Sequence, residues 1–465
     1  MIVIMDSQSL KSNKNVELLL GDYKKAIVKL SIPNMISMFV QTAYNLVDAV
    51  WVAGLGVTDL AAMGFFFPIF MIIVSIATGI TVGTSSAISR KIGAKDIKSA
   101  NSVAEHSIML ALIVSLMTMF VGIPTLTHVL KGIGASGEVL QKAYEYGVII
   151  FLFTPFLMFN NTAIGILRGE GDSRKPMYAA TLSSVINIFL DPIFIYTLNL
   201  GIKGAAWATG ISIIFASALL IYMLFFSKKT FLKVNFKEFK YNGNYLKDIS
   251  IVGFPTALAQ IIMSVAIYVL NMFAAKSGGN TGVATFTGAW RIINLGTLTI
   301  IGISSAVTPV TGAAYGARDI GKLESALNYA IKFAEFFSLF IMAIIFIFSR
   351  QLSFLFAYSQ SSQDLLDNIS KALRILCLFL PGTPLGMLTS GMFQGIGHGF
   401  KSLISTILRT IIFQLFWAWF FVDVLKIGLY GVWLGIVIGN ASASILTYVW
   451  GKWTIKKLRN NLVLE

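Results

Sequence analysis

Residues 32–53 read IPNMISMFVQTAYNLVDAVWVA, and this stretch decides what kind of protein the chain encodes. It is apolar and long enough to cross a hydrocarbon core of about 30 Å as a single helix. Yet Asp48 stands inside it. Charge at that depth is expensive, and it is kept mainly where it faces a bundle interior or a water-filled path. Gln41, Asn45 and Asp48 recur at helical spacing and so share one face, with Tyr44 beside them. A polar stripe of this kind needs hydrogen-bonding partners or water.

The rest of the chain has the same apolar character. Of 465 residues, 56% are hydrophobic and 12% charged, the latter about half the soluble average of roughly 25%. Mean hydropathy is +0.78. Apolar runs of spanning length recur at about 27–53, 60–87, 104–125, 146–166, 177–198, 204–226, 249–274, 282–310, 328–348, 372–394, 403–424 and 430–450. Backbone polar groups must be satisfied internally in lipid, so these are helices, since barrel strands would be about half as long. The expected fold is an all-α polytopic membrane protein with twelve transmembrane helices. Residues 1–25 are polar and lack the apolar core of a cleavable signal. The single cysteine, Cys377, excludes an intrachain disulfide and is expected to be a buried small hydrophobe.

The net charge is +15, and its distribution gives the reason. Lys11, Lys14, Lys24, Lys25 and Lys29 precede the first span; Arg90, Lys91, Lys95 and Lys98 follow the second; Arg168, Arg174 and Lys175 follow the fourth. Lys228, Lys229, Lys233, Lys237, Lys240 and Lys247 follow the sixth, and Lys452, Lys456, Lys457 and Arg459 follow the twelfth. Basic residues in every second connection are the positive-inside pattern, which predicts a multi-pass protein of the cell membrane with both termini cytoplasmic. The lysines are placed to meet anionic lipid headgroups. No basic or aromatic cluster on a soluble domain offers a surface to nucleic acid.

The chain also repeats itself after about 222 to 227 residues. Ile92-Gly-Ala-Lys-Asp-Ile97 returns as Tyr315-Gly-Ala-Arg-Asp-Ile320, Ser31-Ile-Pro33 as Gly253-Phe-Pro255, and Phe153-Thr-Pro155 as Phe379-Leu-Pro381. Arg168-Gly-Glu-Gly171 answers Gln394-Gly-Ile-Gly397, and Gly201-Ile-Lys-Gly204 answers Gly428-Leu-Tyr-Gly431. Five matches in one order at nearly constant offset define two repeats of six spans. An even number of crossings gives both the same orientation, so the expectation is parallel six-helix repeats with a central cleft. The expected organisation is a cytoplasmic segment 1–26, a first lobe 27–226, a basic cytoplasmic linker 227–248, a second lobe 249–450 and a cytoplasmic tail 451–465. The linker reads as a surface tether, with Phe231 to Phe239 amphipathic enough to lie on the membrane.

Asp48 is the first candidate for chemistry, as a proton or cation site. Asn187 and Asp191 share a helical face in the fifth run, and Pro192 follows, where a kink would free a carbonyl. Carboxylate, amide and carbonyl oxygens suit Na⁺ or a proton relay equally. Gln41, Tyr44, Asn45, Asn160, Asn161 and Met158 are candidates to line a substrate cavity. Leu270 and Asn271 stand where Asp48 stands in the first repeat, and Trp417 stands at Asp191, which places coupling in the first half. Arg291 is a candidate for pairing with a carboxylate or a lipid headgroup. Lys332, Glu335 and Arg409 lie nearer the span ends and read as interfacial. Glu170 and Asp172, in a turn with Arg174 and Lys175, form a local ion-pair network or a gate latch. The three histidines make no metal constellation, no nucleophile accompanies the acids, and no GxxxxGK[ST] loop is present. The chain does not read as an enzyme, and no cofactor is expected.

The Tyr44-Asn-Leu-Val-Asp48 string, the Gly-Ala-Lys-Asp connection, Leu167-Arg-Gly-Glu-Gly-Asp172 and Asn187 to Asp191-Pro192 together resemble the multidrug and toxic compound extrusion (MATE) family, prokaryotic branch. The resemblance covers nearly the whole chain after about residue 20. It implies alternating access between two lobes and export of organic, often cationic or amphipathic compounds in exchange for H⁺ or Na⁺. It places the family's first-helix carboxylate at Asp48, its fifth-helix pair at Asn187 and Asp191, and a nearby amino-lobe asparagine at Asn160 or Asn161. The acidic residue some members carry in the seventh span is missing. The expected partners are small organic substrates and membrane lipids, with the monomer as the working unit. A lipid or lipid-linked oligosaccharide flippase is the alternative, though it would need a more cationic cleft.

Overall fold

The computed structural model describes residues 13–227, 230–354 and 363–464. Lys11, Lys228 and Lys229 of the basic clusters lie outside the described residues. Every regular element among the described residues is helical. After a short helix, Lys14–Leu20, come Tyr23–Ala53, Val57–Gly93, Ile97–Gly132, Gly137–Gly169, Arg174–Thr197 and Ile202–Phe226. The second half runs Gly243–Gly316, Ile320–Ile347, Gln363–Leu376 with Phe379–Gly395, Gly399–Val424 and Leu429–Leu464.

These elements account for all twelve expected crossings. The 74-residue element is two helices meeting at Gly279, whose φ of 57° no helix contains. The tenth crossing is bent by 47° between its two pieces. Tyr23–Ala53 is long enough at 31 residues, although its polar stripe makes it less apolar than the others. The helices outrun the apolar runs at both ends because polar caps continue them. Asp96 accepts from the Ser99 N–H at 3.0 Å, and Asp319 from the Lys322 N–H at 2.8 Å.

That pair of caps belongs to a wider duplication of the backbone. Lys95 and Arg318 hold φ of 59° and 58°, and Asn199 and Lys426 hold 52° and 53°. Side chains rarely tolerate this left-handed region, and these four are all the non-glycine examples described. Gly171 and Gly397 match in the same way, at 87° and 82°. The repeat read from short motifs is therefore a repeat of conformation.

The chain divides into two compact units. The first takes the chain up to Gly21 with Ile32–Ala257, and the second takes Asp22–Ser31 with Leu258 onward. One boundary falls between the first two helices, and the other two fall inside helices, near Pro33 and Pro255. In the first unit Phe66 meets Tyr146 and Phe151 edge-on at 5.4 and 6.2 Å, surrounded by Leu126, Leu130, Met158 and Ile195. Such aromatic contacts add about 0.5–1.5 kcal/mol each beyond area burial. Ion pairs tie the crossings near their ends: Lys142 with Asp59 at 2.8 Å and Lys203 with Glu145 at 3.0 Å. In the second unit Phe286, Trp290 and Phe379 form a continuous aromatic group, and Lys276 pairs with Asp423.

Small residues let backbones approach, as packing inside lipid requires. Gly79 and Gly83 of the second crossing face Ile249, Gly253 and Ala257, all within the first unit; a Cβ on Gly83 would stand 2.4 Å from the Ile249 carbonyl oxygen. The obstacle is backbone, so the helices must separate. Gly83→Ala should destabilise the protein by about 1–3 kcal/mol, read as a lowered thermal midpoint in detergent. Gly64→Ala, with nothing within 4 Å of the new atom, should leave the midpoint unchanged.

Candidate functional site

The polar stripe of the first crossing leaves Gln41 and Asn45 exposed and Tyr44 and Asp48 half-buried. Asp191, on the fifth crossing, is fully buried. The two acids, 143 positions apart in the chain, bring their carboxyl groups within hydrogen-bonding reach of one another, although no well-aligned bond joins them. Asn187, one turn before Asp191, donates to Asp191 Oδ1 at 3.2 Å and to Thr209 Oγ1 of the sixth crossing at 3.4 Å. Three buried oxygens have no partner: Asp48 Oδ1, Asp191 Oδ2 and Asn187 Oδ1. Tyr44 and Tyr146 stand within electrostatic range of both acids.

The fifth crossing changes character directly after this site. Pro192 has no N–H to give, and Ile193–Thr197 adopts a π turn. The wider turn carries Tyr196 to the first crossing, where its hydroxyl donates to the Trp51 carbonyl at 2.6 Å and the two rings meet edge-on. The first and fifth helices thus meet at the acids and are bonded to each other near their ends.

Other expected residues fall differently. Asn160 is committed to the sixth crossing: its amide donates to the Ile213 carbonyl at 3.1 Å, and Ser217 donates to its Oδ1 at 2.8 Å. Asn161 donates to the Leu157 carbonyl one turn back and receives a long 3.4 Å contact from Thr81. Neither amide is hydrogen-bonded to an acid. Met158 is sealed in the first unit's apolar core at 0% exposure, so it has no surface to line a cavity. Arg291 is exposed. Arg409, expected at an interface, is instead buried at 8% exposure; a π turn over Leu408–Phe413 carries it inward. Tyr146 and Thr209 were not anticipated, because lone Tyr and Thr in apolar helices are too common to stand out.

The linker also departs from expectation. It is not a loose tether, because a row of side chains holds its backbone. Glu170, fully buried, accepts from the Phe231 and Leu232 N–H groups, both at 3.1 Å. Asn101 accepts from Lys233, Glu105 from Asn235, and His106 Nε2 from Asn242. His106 Nδ1 then faces the Ser102 carbonyl at 2.7 Å, while Phe239, Tyr241 and Tyr245 surround the ring. Lys175 pairs with Asp172 at 3.2 Å and Glu170 at 3.8 Å, and Asn15 of the short first helix donates to Asp172. The ion-pair network expected at this turn is present, and it serves as a clasp.

Twelve crossings in two repeats, with a half-buried and a buried acid meeting where two helices approach, define an integral-membrane transporter rather than an enzyme. The chain belongs to the MATE family: the family model described as MatE matches residues 33–193 and 255–420, one stretch in each repeat. A curated relative, the multidrug export protein MepA of Staphylococcus haemolyticus, is 28% identical over 444 residues, 95% of each chain. A MATE crystallised in complex with MaL6 superposes with a TM-score of 0.94 at 48% identity, covering 96% of this chain and 100% of that one. A MOP superfamily transporter from Pyrococcus furiosus, described as having a binding pocket of reversed polarity that suggests a different function, superposes at 0.93 and 48% identity, covering 96% and 99%.

The clasp gives a pH signature. Burial pushes the Glu170 carboxyl from its ordinary 4.5 up to about 7, against the pull of Lys175 and the two N–H donors. The folded protein therefore holds a proton that the opened clasp releases. Clasp stability should be full below about 4.5, fall as pH rises through about 7, and level off above. Hydrogen exchange at the Phe231 and Leu232 amides should quicken over that window. In Glu170→Gln, which keeps an acceptor oxygen but cannot titrate, the rise should vanish once intrinsic base catalysis is corrected.

Proposed function

We propose that this protein is a secondary antiporter that exports organic, cationic or amphipathic drug-like compounds in exchange for H⁺ or Na⁺ by alternating access. The observation that carries the proposal is the meeting of Asp48 and Asp191, on different helices, with Asn187 bonded to Asp191 and three unpartnered oxygens among the three residues. Two carboxylates shielded from water are costly side by side unless a proton or cation accompanies them. The donor set is all oxygen, which suits a hard cation or a shared proton and is poor for a transition metal. Among the described residues no trio of His, Cys, Asp or Glu makes a metal cluster. The coupling ion is cargo in this mechanism.

Coupling follows from linkage. With an ion at the pair, the first and fifth helices are drawn together. Without it, the like charges repel, and the first helix changes its packing and its affinity for substrate. Ion and drug must then alter each other's binding by the same factor. Gln41, Tyr44 and Asn45 share the helical stripe with Asp48, so they are the residues placed to feel that change. The multidrug export name carried by the Staphylococcus relative supports a drug-like cargo. The basic connections support cytoplasmic termini in the cell membrane. A second reading, a lipid or lipid-linked oligosaccharide flippase, is favoured by the reversed pocket polarity described for the Pyrococcus relative; it leaves the buried acid pair without a role.

In proteoliposomes, Asp48→Asn should abolish export driven by an imposed ion gradient while the protein still inserts and folds. Asp191→Asn should lower it strongly. Running the assay with H⁺ and Na⁺ gradients separately identifies the ion. Export by Asp48→Asn at the unmodified rate would eliminate the proposed coupling site.

A further inference from the structure

The second unit contains a cavity of opposite chemistry. It measures about 110 Å³ and lies among the seventh, eighth, tenth and eleventh crossings. One water needs about 10–15 Å³ on this scale, so there is room for a compact organic group. Met263, Leu270 and Phe379 supply apolar wall. The charged group on the lining is Arg409, 8% exposed. Among the described residues no carboxylate pairs with its guanidinium, and the ninth crossing's Glu335 does not reach it. Trp290 brings a second unanswered donor, since its buried indole N–H has no acceptor. Gln414, 5% exposed, lines the same space; it stands 227 residues after Asn187, the repeat offset. The place that holds acids in the first repeat is thus answered by a cation in the second.

An unpaired guanidinium inside a transmembrane bundle is expensive and marks a functional site with an absent counter-charge. Arg is an acceptor-free fork suited to carboxylate and phosphate oxygens. It rides on a π turn, a feature common at functional sites. We propose that this cavity binds the anionic head of an amphipathic organic compound, with Arg409 as the counter-charge, Trp290 as a second donor and the apolar wall receiving the body. The site is separate from the acid pair and does not depend on how that pair works. Either a soluble organic anion or an anionic lipid head carries the required chemistry.

The test uses the whole protein in phosphatidylcholine nanodiscs. Binding of para-trifluoromethylbenzoate and of para-trifluoromethylbenzylammonium is followed by fluorine NMR. The anion should lose about tenfold in affinity in Arg409→Gln and recover most of it in Arg409→Lys. The cation should be indifferent to both changes. Trp290→Phe keeps the ring and removes the donor, and it should weaken the anion about threefold; it keeps the test alive if Arg409→Gln does not fold. Phosphatidylglycerol discs separate the sources. Displacement of benzoate there assigns a lipid head, and unchanged binding assigns a soluble anion. Equal benzoate affinity in the unmodified protein, Arg409→Gln and Trp290→Phe overturns the proposal, as does equal binding of the matched cation and anion to the unmodified protein.

Discussion

Two like charges cannot stand side by side out of water unless something neutralises them, and Asp48 with Asp191 presents that problem in the first unit. The rest of the unit is arranged around it. Asn187 and Thr209 answer one side of the pair, the tyrosines flank it, and the Tyr196–Trp51 bond fastens the two helices beyond it. Glycines in the second crossing allow backbones close enough to exclude lipid. A bundle assembled by packing alone would not need so many polar atoms left without partners at one place. Their concentration at the junction of two helices makes the spacing of those helices sensitive to whatever cation is present.

The two repeats share a backbone and differ in charge. Matching left-handed residues and matching helix caps show how closely the conformation was kept. The interior was not kept in the same way. The second repeat has Leu270 where the first has its acid, Trp417 stacked on Phe421 and edge-on to Phe416 and Phe420, and an arginine on the lining of a cavity. Duplication supplies a second bundle of six crossings with matching turns at several helix ends. The polarity of its interior is then free to diverge, because only a few inward side chains set it.

Fold class was legible because lipid makes it so: twelve apolar runs admit little besides helices, and the repeat fixed how they group. Asp48, Asn187 and Asp191 stood out because polar atoms are rare in such runs. That Asp48 and Asp191 would meet was not legible, since nothing in the spacing of two separate helices sets their contact. Met158 was misplaced because a methionine reads alike whether it faces a core or a cavity. Arg409 was misplaced because a π turn shifts the face on which a side chain emerges, and no local composition announced it. The linker was misjudged for another reason. Its own sequence looks like a tether, and the groups that hold it, Glu170, Asn101, Glu105 and His106, come from two other parts of the chain.

That fastening bears on how the polypeptide can be engineered. Connections between halves are ordinarily where a chain tolerates cutting, lengthening or a fused tag. Here the amides of Phe231, Leu232, Lys233, Asn235 and Asn242 are all engaged, and Asp22–Ser31 is grouped with the later half while Gly243–Ala257 is grouped with the earlier. A protein severed at its midpoint would lose the end of each half to the other. Permuted or split versions should therefore be opened at the short turns between crossings, where few backbone groups are committed to distant partners.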